Sequence, residues 1–285
     1  MQARSLDGTV VVVTGGARGI GAATARALAA AGARVAIGDL DVTLGRQTAE
    51  ELGGSAIALP LDVTDNAGFT AFLDAVERQL GPLDVLVNNA GIMALASLDE
   101  ESDETTARQL AINLGAVVHG TREAMKRMKP RHSGHIVNIA SLAGKLGVPG
   151  GATYCATKHG VVGLCEAVRL ELRGSGVEVS CVMPTIVRTE LAAGISQTRL
   201  SSQVGSEEVA AAIVAVLRKP RLEVYVPRYL GGVQRVVRVL PRRVGEWIAR
   251  AGGTDQVLAA AVHAPARAEY ERRAARSAPG ADGAP

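Results

Sequence analysis

A chain of 285 residues, 47% of them hydrophobic and 21% charged, can bury one large α/β core with room for an extension. Aromatic residues make up only 2% and the net charge is +3. These values exclude stacking platforms for single-stranded nucleic acid and a strongly basic nucleic-acid surface.

No stretch approaches the roughly 18 uncharged apolar residues of a membrane-spanning helix, and Met1 to Gly8 lacks the apolar segment of a signal peptide. Cys155, Cys165 and Cys181 show no metal or redox spacing, and the five histidines are scattered. A reduced cytoplasmic protein without a metal is expected.

Thr9 to Thr14 is a β-branched run that reads as a buried strand. Gly15-Gly16-Ala17-Arg18-Gly19-Ile20-Gly21 follows, then the helix formers Ala22 to Ala31 and a second strand, Arg34 to Asp39. Strand, turn, helix and strand make a βαβ unit with a right-handed crossover. Gly15 permits a tight exit from the strand. Gly19 and Gly21 lack a Cβ, so phosphates and the strand can approach the helix start, where free N–H groups favour an anion. Asp39 stands where a carboxylate accepts the hydroxyls of an adenosine ribose.

Val42 to Leu52 reads as a helix and Ser55 to Pro60 as a third strand. Asp62 and Val63 sit at its carboxyl end, beside the position of an adenine, although Asp62 could instead cap the next helix. Ala67 to Leu80 is amphipathic and stops at Gly81-Pro82. Leu83 to Val87 is the fourth strand, closed by Asn88-Asn89-Ala90-Gly91, whose amides can pin neighbouring strands. Ser102 to Met128 carries one long helical pattern with Asn113 inside it. His135 to Ala140 is the fifth strand, ending at Ser141. Gly144 to Gly151 is a loop, Thr153 to Leu172 a helix and Val177 to Val182 the sixth strand, followed by Met183-Pro184-Thr185. Ile186 to Val204 is irregular. Ser206 is expected to cap a helix to Leu217, and Leu222 to Val226 is the seventh strand. Seven alternations predict a Rossmann-like, doubly wound parallel sheet with helices on both faces over residues 1–227.

A C-terminal helical extension is expected over 228–276. Arg228, Arg235, Arg238, Arg242, Arg243 and Arg250 are interleaved with Val233, Val236, Val237, Leu240, Val244, Trp247 and Ile248. Pro241 separates two short helices, a third runs from Asp255 to Arg276, and 277–285 reads as disordered. A basic amphipathic segment can lie on an anionic membrane surface. The modest stripe and single tryptophan favour a flap packed on the domain or on a subunit partner.

Tyr154 and Lys158 are four apart, on one helical face. A free phenol titrates near about 10, and lowering that by about 3 units requires about 4 kcal/mol, which a lysine ammonium and a cationic nicotinamide in a dry cleft could provide. Ser141, at the end of the preceding strand, can donate to the same substrate oxygen.

Thr14-Gly15-x-x-x-Gly19-x-Gly21, Asn88-Asn89-Ala90-Gly91, Asn113, Ser141, Tyr154 and Lys158 occur in an order that resembles the short-chain dehydrogenase/reductases from Leu6 to Pro227. The resemblance implies a nicotinamide cofactor, hydride transfer between alcohol and carbonyl, and a homodimer or homotetramer. It implies Tyr154 as acid/base, Ser141 as oxygen stabiliser, Lys158 on Tyr154 and the nicotinamide ribose, and Asn113 holding a relay water. Gly15, Arg18, Gly19, Ile20, Gly21, Asp39, Asp62, Val63, Asn89, Ala90, Gly91, Tyr154, Lys158, Pro184, Val187 and Thr189 would hold the cofactor. Thr185 stands where the family usually has glycine.

NAD is expected over NADP: Asp39 repels a 2′-phosphate, Leu40 replaces the basic residue such a site wants, and an Asp39–Arg18 ion pair would occupy Arg18. Met93, Ala94, Leu95, Leu142, Leu146, Val148, Ile186, Val187 and Leu191 are expected to form an apolar pocket for a terpenoid, steroid or medium-chain substrate. A reductase of carrier-bound 3-oxoacyl chains would need a basic docking patch, for which only Arg188 offers itself. A nucleotide-sensing protein without catalysis would usually lose Tyr154 or Lys158, and both are present.

Overall fold

Four consecutive valines, closed to solvent on both sides, start the sheet: β1 (Val10–Thr14) is buried along its whole length, as a central parallel strand covered on both faces must be. The computed structural model describes residues 4–54, 56–195, 203–241 and 243, together with 261, 262, 264, 267 and 270–272. After β1 come α1 (Gly19–Ala30), β2 (Arg34–Asp39), α2 (Val42–Glu51), β3 (Ala56–Pro60), α3 (Asn66–Leu80) and β4 (Val85–Asn88). The second half adds α4 (Asp103–Leu110), α5 (Ala116–Met128), β5 (Gly134–Ile139), α6 (Ala152–Glu171), β6 (Val177–Pro184), α7 (Ser206–Arg218) and β7 (Glu223–Val226).

The seven strands pair in parallel in the order β3-β2-β1-β4-β5-β6-β7. The chain winds outward from β1 to β3, then returns to place β4 on the other side of β1. The carboxyl ends of β1 and β4 therefore diverge into a crevice, the place where such sheets bind ligands. Helices α3, α5 and α6 cover one face through Phe69, Leu73, Val117, Met128, Val161 and Val168. Helices α1, α2 and α7 cover the other through Ala25, Leu28, Ala49, Val209, Ile213 and Val216. A third cluster joins Met93, Leu95, Tyr154, Cys155 and Ile195 to Ala261 of the C-terminal extension.

Four local expectations are corrected. The helix α1 starts at Gly19, because the glycine turn already contributes its first residues. The long pattern from Ser102 to Met128 is divided into α4 and α5 by a π-helical turn, Ala111–Gly115. Gly205 takes the cap position of α7 in place of Ser206, and its N–H donates to Glu208 Oε1 at 2.8 Å. This supplies the carboxylate half of a capping box without a side chain at the cap.

The fourth concerns the extension. Helix α8 (Leu230–Val239) ends where Leu240, preceding Pro241, turns extended. Its apolar stripe was expected to pack on the domain or on a subunit partner; Val233 and Val236 of that stripe are exposed, as are Tyr229 and Val239, so the domain does not cover it, and Gly231 is the residue that approaches Tyr225. The second short helix, most of the third, and 277–285 lie outside the described residues. Within the third, 267 and 270–272 are helical. Among the described residues no helix is long and apolar enough to cross a membrane.

Candidate active site

The crevice opens into a cleft of about 860 Å³, within the usual range for small-molecule sites. At the end of the cleft beside β1 and β4 the strand termini are sewn together. Thr14 Oγ1 accepts from Asn89 N at 3.0 Å and Ala90 N at 3.1 Å, and Asn89 Nδ2 donates to Thr14 O at 2.9 Å and Gly15 O at 3.0 Å. Gly15, at φ 63°, brings its backbone against Ala90, where a Cβ would lie 2.9 Å from the Ala90 Cα. Asn88 ties β4 to β5, donating to Asn138 Oδ1 at 2.8 Å.

Gly19, at φ 55°, borders the cleft, and a Cβ there would meet only the Thr189 side chain, at 3.3 Å. Helix α1 starts here with no side-chain cap and no acidic residue in its first turn, so its leading N–H groups suit an anion. Gly21 was expected at the ligand but is not on the lining. Its missing Cβ would stand 2.1 Å from Gly15 O, so glycine there lets α1 seat on the turn.

Asp39 Oδ2 accepts from Ala17 N and Oδ1 from Asp41 N, both at 3.0 Å. These bonds fix the carboxylate and leave lone pairs on both oxygens. The expected Asp39–Arg18 ion pair does not form. Arg18 pairs with Asp41 and, at 3.5 Å, with Glu190 across the cleft mouth. Asp41 also caps α2, accepting from Leu44 N at 3.1 Å. Asp62 Oδ1 accepts from Thr64 N at 2.8 Å and Thr64 Oγ1 at 2.7 Å, while Asp65 caps α3. Asp62, Val63, Ala90, Gly91, Ile20, Pro184, Val187 and Thr189 all lie on the lining. Thr185 lies there too, its N–H donating to Val226 O at 2.9 Å, so the threonine continues the pairing between β6 and β7.

Ser141 leaves β5, and its hydroxyl accepts from Ala143 N at 3.2 Å and hydrogen-bonds the Tyr154 phenol. One turn beyond Tyr154 on α6, Lys158 Nζ donates to Ile139 O at 3.0 Å and lies 5.6 Å from the centre of the Tyr154 ring. Both residues are buried. Burial lowers the Lys158 ammonium to about 8. The lysine was expected to lower the Tyr154 phenol, yet the phenol is pushed well above its ordinary value, because burial outweighs the opposing Ser141 bond and the nearby Tyr270 adds to the rise. The protein's own groups thus hold Tyr154 as a phenol. Burial also raises the adjacent Cys155 thiol, so it is a packing residue rather than a thiolate nucleophile.

Asn113 was expected to hold a water at the site. It lies in the π-helical turn, fully buried and away from the lining. Its Oδ1 accepts from Ile92 N and its Nδ2 donates to Ile92 O, both at 2.8 Å, so its side chain is committed to shaping the loop after β4.

At the far end, Met93, Leu142, Leu146, Val148, Ile186 and Leu191 line the cleft. Ala94 and Leu95 do not, and Leu95 packs behind the wall beside Met93. Ile195, Tyr229, Leu230 and Tyr270 are among the further lining residues that carry no signal in the sequence. Asp41 had one, since an aspartate directly before a helical pattern is a cap.

The family model described as short chain dehydrogenase matches residues 9–200. The chain belongs to the short-chain dehydrogenases. It is therefore an oxidoreductase of the alcohol dehydrogenase type. A D-threitol dehydrogenase of Mycolicibacterium smegmatis is 42% identical over 189 residues, spanning 65% of this chain and 73% of that protein. A 3-alpha-(or 20-beta)-hydroxysteroid dehydrogenase of Mycobacterium tuberculosis is 38% identical over 200 residues, 70% of this chain and 77% of that one. A short-chain dehydrogenase/reductase from Burkholderia phymatum, solved in complex with NAD, is 28% identical with a TM-score of 0.74, covering 82% of this chain and 94% of its own.

Proposed function

We propose that this short-chain dehydrogenase uses NAD to interconvert a lipophilic secondary alcohol and its ketone, of terpenoid, steroid or medium-chain type. The observation that carries the reading is the meeting of Ser141, Tyr154 and Lys158 in one cleft, between a carboxylate-bearing nucleotide end and an apolar end. The residues present fit a dinucleotide: Gly19 offers an edge without a Cβ beside an uncapped helix start, and Asp39 offers a fixed acceptor for ribose hydroxyls. When bound, the nicotinamide supplies the carbon that gives or takes the hydride.

Every proton in the reaction is handled by the chain. In reduction the Tyr154 phenol donates to the carbonyl oxygen while the Ser141 hydroxyl donates to the same atom. The Lys158 ammonium, held on Ile139 O, favours the phenolate left behind. In oxidation the same proton returns to Tyr154. The burial of Tyr154 and Lys158 excludes water from that exchange.

The names of the relatives divide between a polyol and a steroid. The six apolar side chains at the far end support the lipophilic side, because they offer no partners for the several hydroxyls of a polyol, and each unpaired polar group would be costly to bury. Residues 1–227 are proposed as the catalytic unit and 228–276 as its extension. A homodimer or homotetramer is the proposed assembly, supported by the exposed Leu110, Leu170 and α8 stripe.

The test is turnover of a panel of secondary alcohols and ketones, followed by the absorbance of reduced nicotinamide. Tyr154→Phe is expected to lose about 10²- to 10⁴-fold in kcat, the usual contribution of a general acid, with NADH affinity unchanged. Polyols preferred over lipophilic alcohols would reject the substrate class, and turnover retained in Tyr154→Phe would reject the role of Tyr154.

A further inference from the structure

The substrate end of the cleft is completed by residues beyond the segment that the family model matches. Tyr270 lines the cleft, and its Oη accepts from Met93 N at 2.9 Å. Arg267, one turn earlier, is only 1% exposed. Its Nη2 donates to Met93 O at 2.6 Å, its Nη1 to Leu191 O at 3.3 Å and Ala193 O at 3.1 Å, and its Nε to Glu271 Oε1 at 3.2 Å. The guanidinium carbon lies 5.2 Å from the centre of the Tyr270 ring.

A buried guanidinium is tolerated only where its donors find acceptors in its planar fork geometry. Here those acceptors come from two different pocket loops. One follows β4 and carries Met93, and the other follows β6 and carries Leu191 and Ala193. The contact is also close sterically. A Cβ on Gly194 would lie 2.7 Å from Ala264 Cβ and 3.1 Å from Arg267 Cγ, and Ala261 is fully buried against the same wall.

We propose that Tyr270 is a specificity-determining residue of the substrate pocket and that Arg267 is the positioning residue that holds it there. The extension then decides how large an apolar substituent the alcohol carries beside the reacting carbon. This rests on the alcohol reading given above. The ring occupies volume at the pocket wall, so its removal admits bulkier substituents, while any effect of its loss on the Tyr154 phenol acts alike on every alcohol and cancels in their ratio.

The test uses the full-length protein and the variants Tyr270→Ala, Tyr270→Phe and Arg267→Met. Hydrogen–deuterium exchange of the segments 91–97 and 187–195 needs no substrate. Exchange in 91–97 is expected to rise about tenfold in Tyr270→Ala, and in both segments in Arg267→Met. Unchanged exchange in both variants overturns the clamp. In steady-state kinetics with NAD and secondary alcohols graded in size, Tyr270→Ala is expected to raise the kcat/KM ratio of bulkiest to smallest about tenfold. The change should lie in KM, with NADH affinity constant, and Tyr270→Phe, which keeps the ring, should retain the wild-type ratio. A ratio unchanged in Tyr270→Ala overturns the specificity role, and the Tyr270 pair decides this even where Arg267→Met fails to fold. Absence of wild-type turnover with every alcohol, alongside the expected exchange, overturns the alcohol reading and the specificity role while the clamp stands.

Discussion

Two carboxylates, Asp39 and Asp41, line the end of the cleft proposed for the adenosine ribose, and they do different work. Asp39 is held by two backbone N–H groups as a fixed acceptor, while Asp41 takes the charge of Arg18, the one cation in the glycine turn. A 2′-phosphate would meet Asp39 directly and would have to draw Arg18 away from both Asp41 and Glu190. Asp39→Ala with Leu40→Arg is expected to shift preference toward NADP by about 1–3 kcal/mol, the scale of one charged hydrogen bond. Asp41→Asn alone should move it in the same direction by releasing Arg18. The measurement is kcat/KM with each cofactor, and a wild-type preference for NADP would reverse the assignment. The Tyr154 phenol gives a second outcome at this scale. Burial raises its pKa, so the phenolate needed for alcohol oxidation is scarce at neutral pH. Oxidation is expected to climb above about pH 7 and to flatten past about pH 8, where the Lys158 ammonium that favours the phenolate is lost, while ketone reduction stays level or falls, as pH profiles in both directions would reveal.

Elements were legible wherever a local pattern had one physical cause. The valine run of β1 and the glycine turn could each be read from a few neighbouring residues, and so could the alternation that makes the sheet. The π-helical turn could not, because its cause is tertiary: Asn113 reaches across to both backbone groups of Ile92, and the periodicity of the flanking residues continues smoothly through it. Gly21 was legible as a glycine position but not as a packing one, since the obstacle to a Cβ is the carbonyl of Gly15, fixed only once α1 has seated. Gly21→Ala is accordingly expected to lift α1 off the turn and weaken NAD binding at least about tenfold, although the methyl group never enters the cleft. Titration of NADH fluorescence measures this, and wild-type affinity in the variant would show that the helix start can shift without cost.

At the scale of the whole molecule, the least legible feature is the contact of Arg267 and Tyr270 with the pocket loops. Arg267 is one of four arginines in the alanine-rich stretch 261–276, and its main partner Met93 is far away in sequence, so no window of neighbouring residues singles it out. The same long-range logic places a titratable group at the centre of the sheet. His135 on β5 pairs through Nε2 with Ser180 on β6 at 2.8 Å. The Ser180 hydroxyl in turn donates to Arg221 O at 2.7 Å, so His135 Nε2 is the donor and the ring is neutral. Its Nδ1 is buried with no hydrogen-bond partner, and a proton added there would stay unpaired. Burial, with a smaller contribution from the Arg4 charge, lowers His135 to about 3. Between the ordinary histidine value and that value the unfolded chain binds a proton that the folded chain refuses. Stability therefore rises with pH through this window and is lost as pH falls from about 6.5 toward about 3, at about 1.4 kcal/mol per unit. His135→Gln can keep a donor toward Ser180 but does not titrate. Urea unfolding at about pH 7 and about pH 5 is expected to show a loss about 1–2 kcal/mol smaller in His135→Gln than in the wild type. Equal losses would mean that β5 opens enough at mild acidity to let the ring take up its proton.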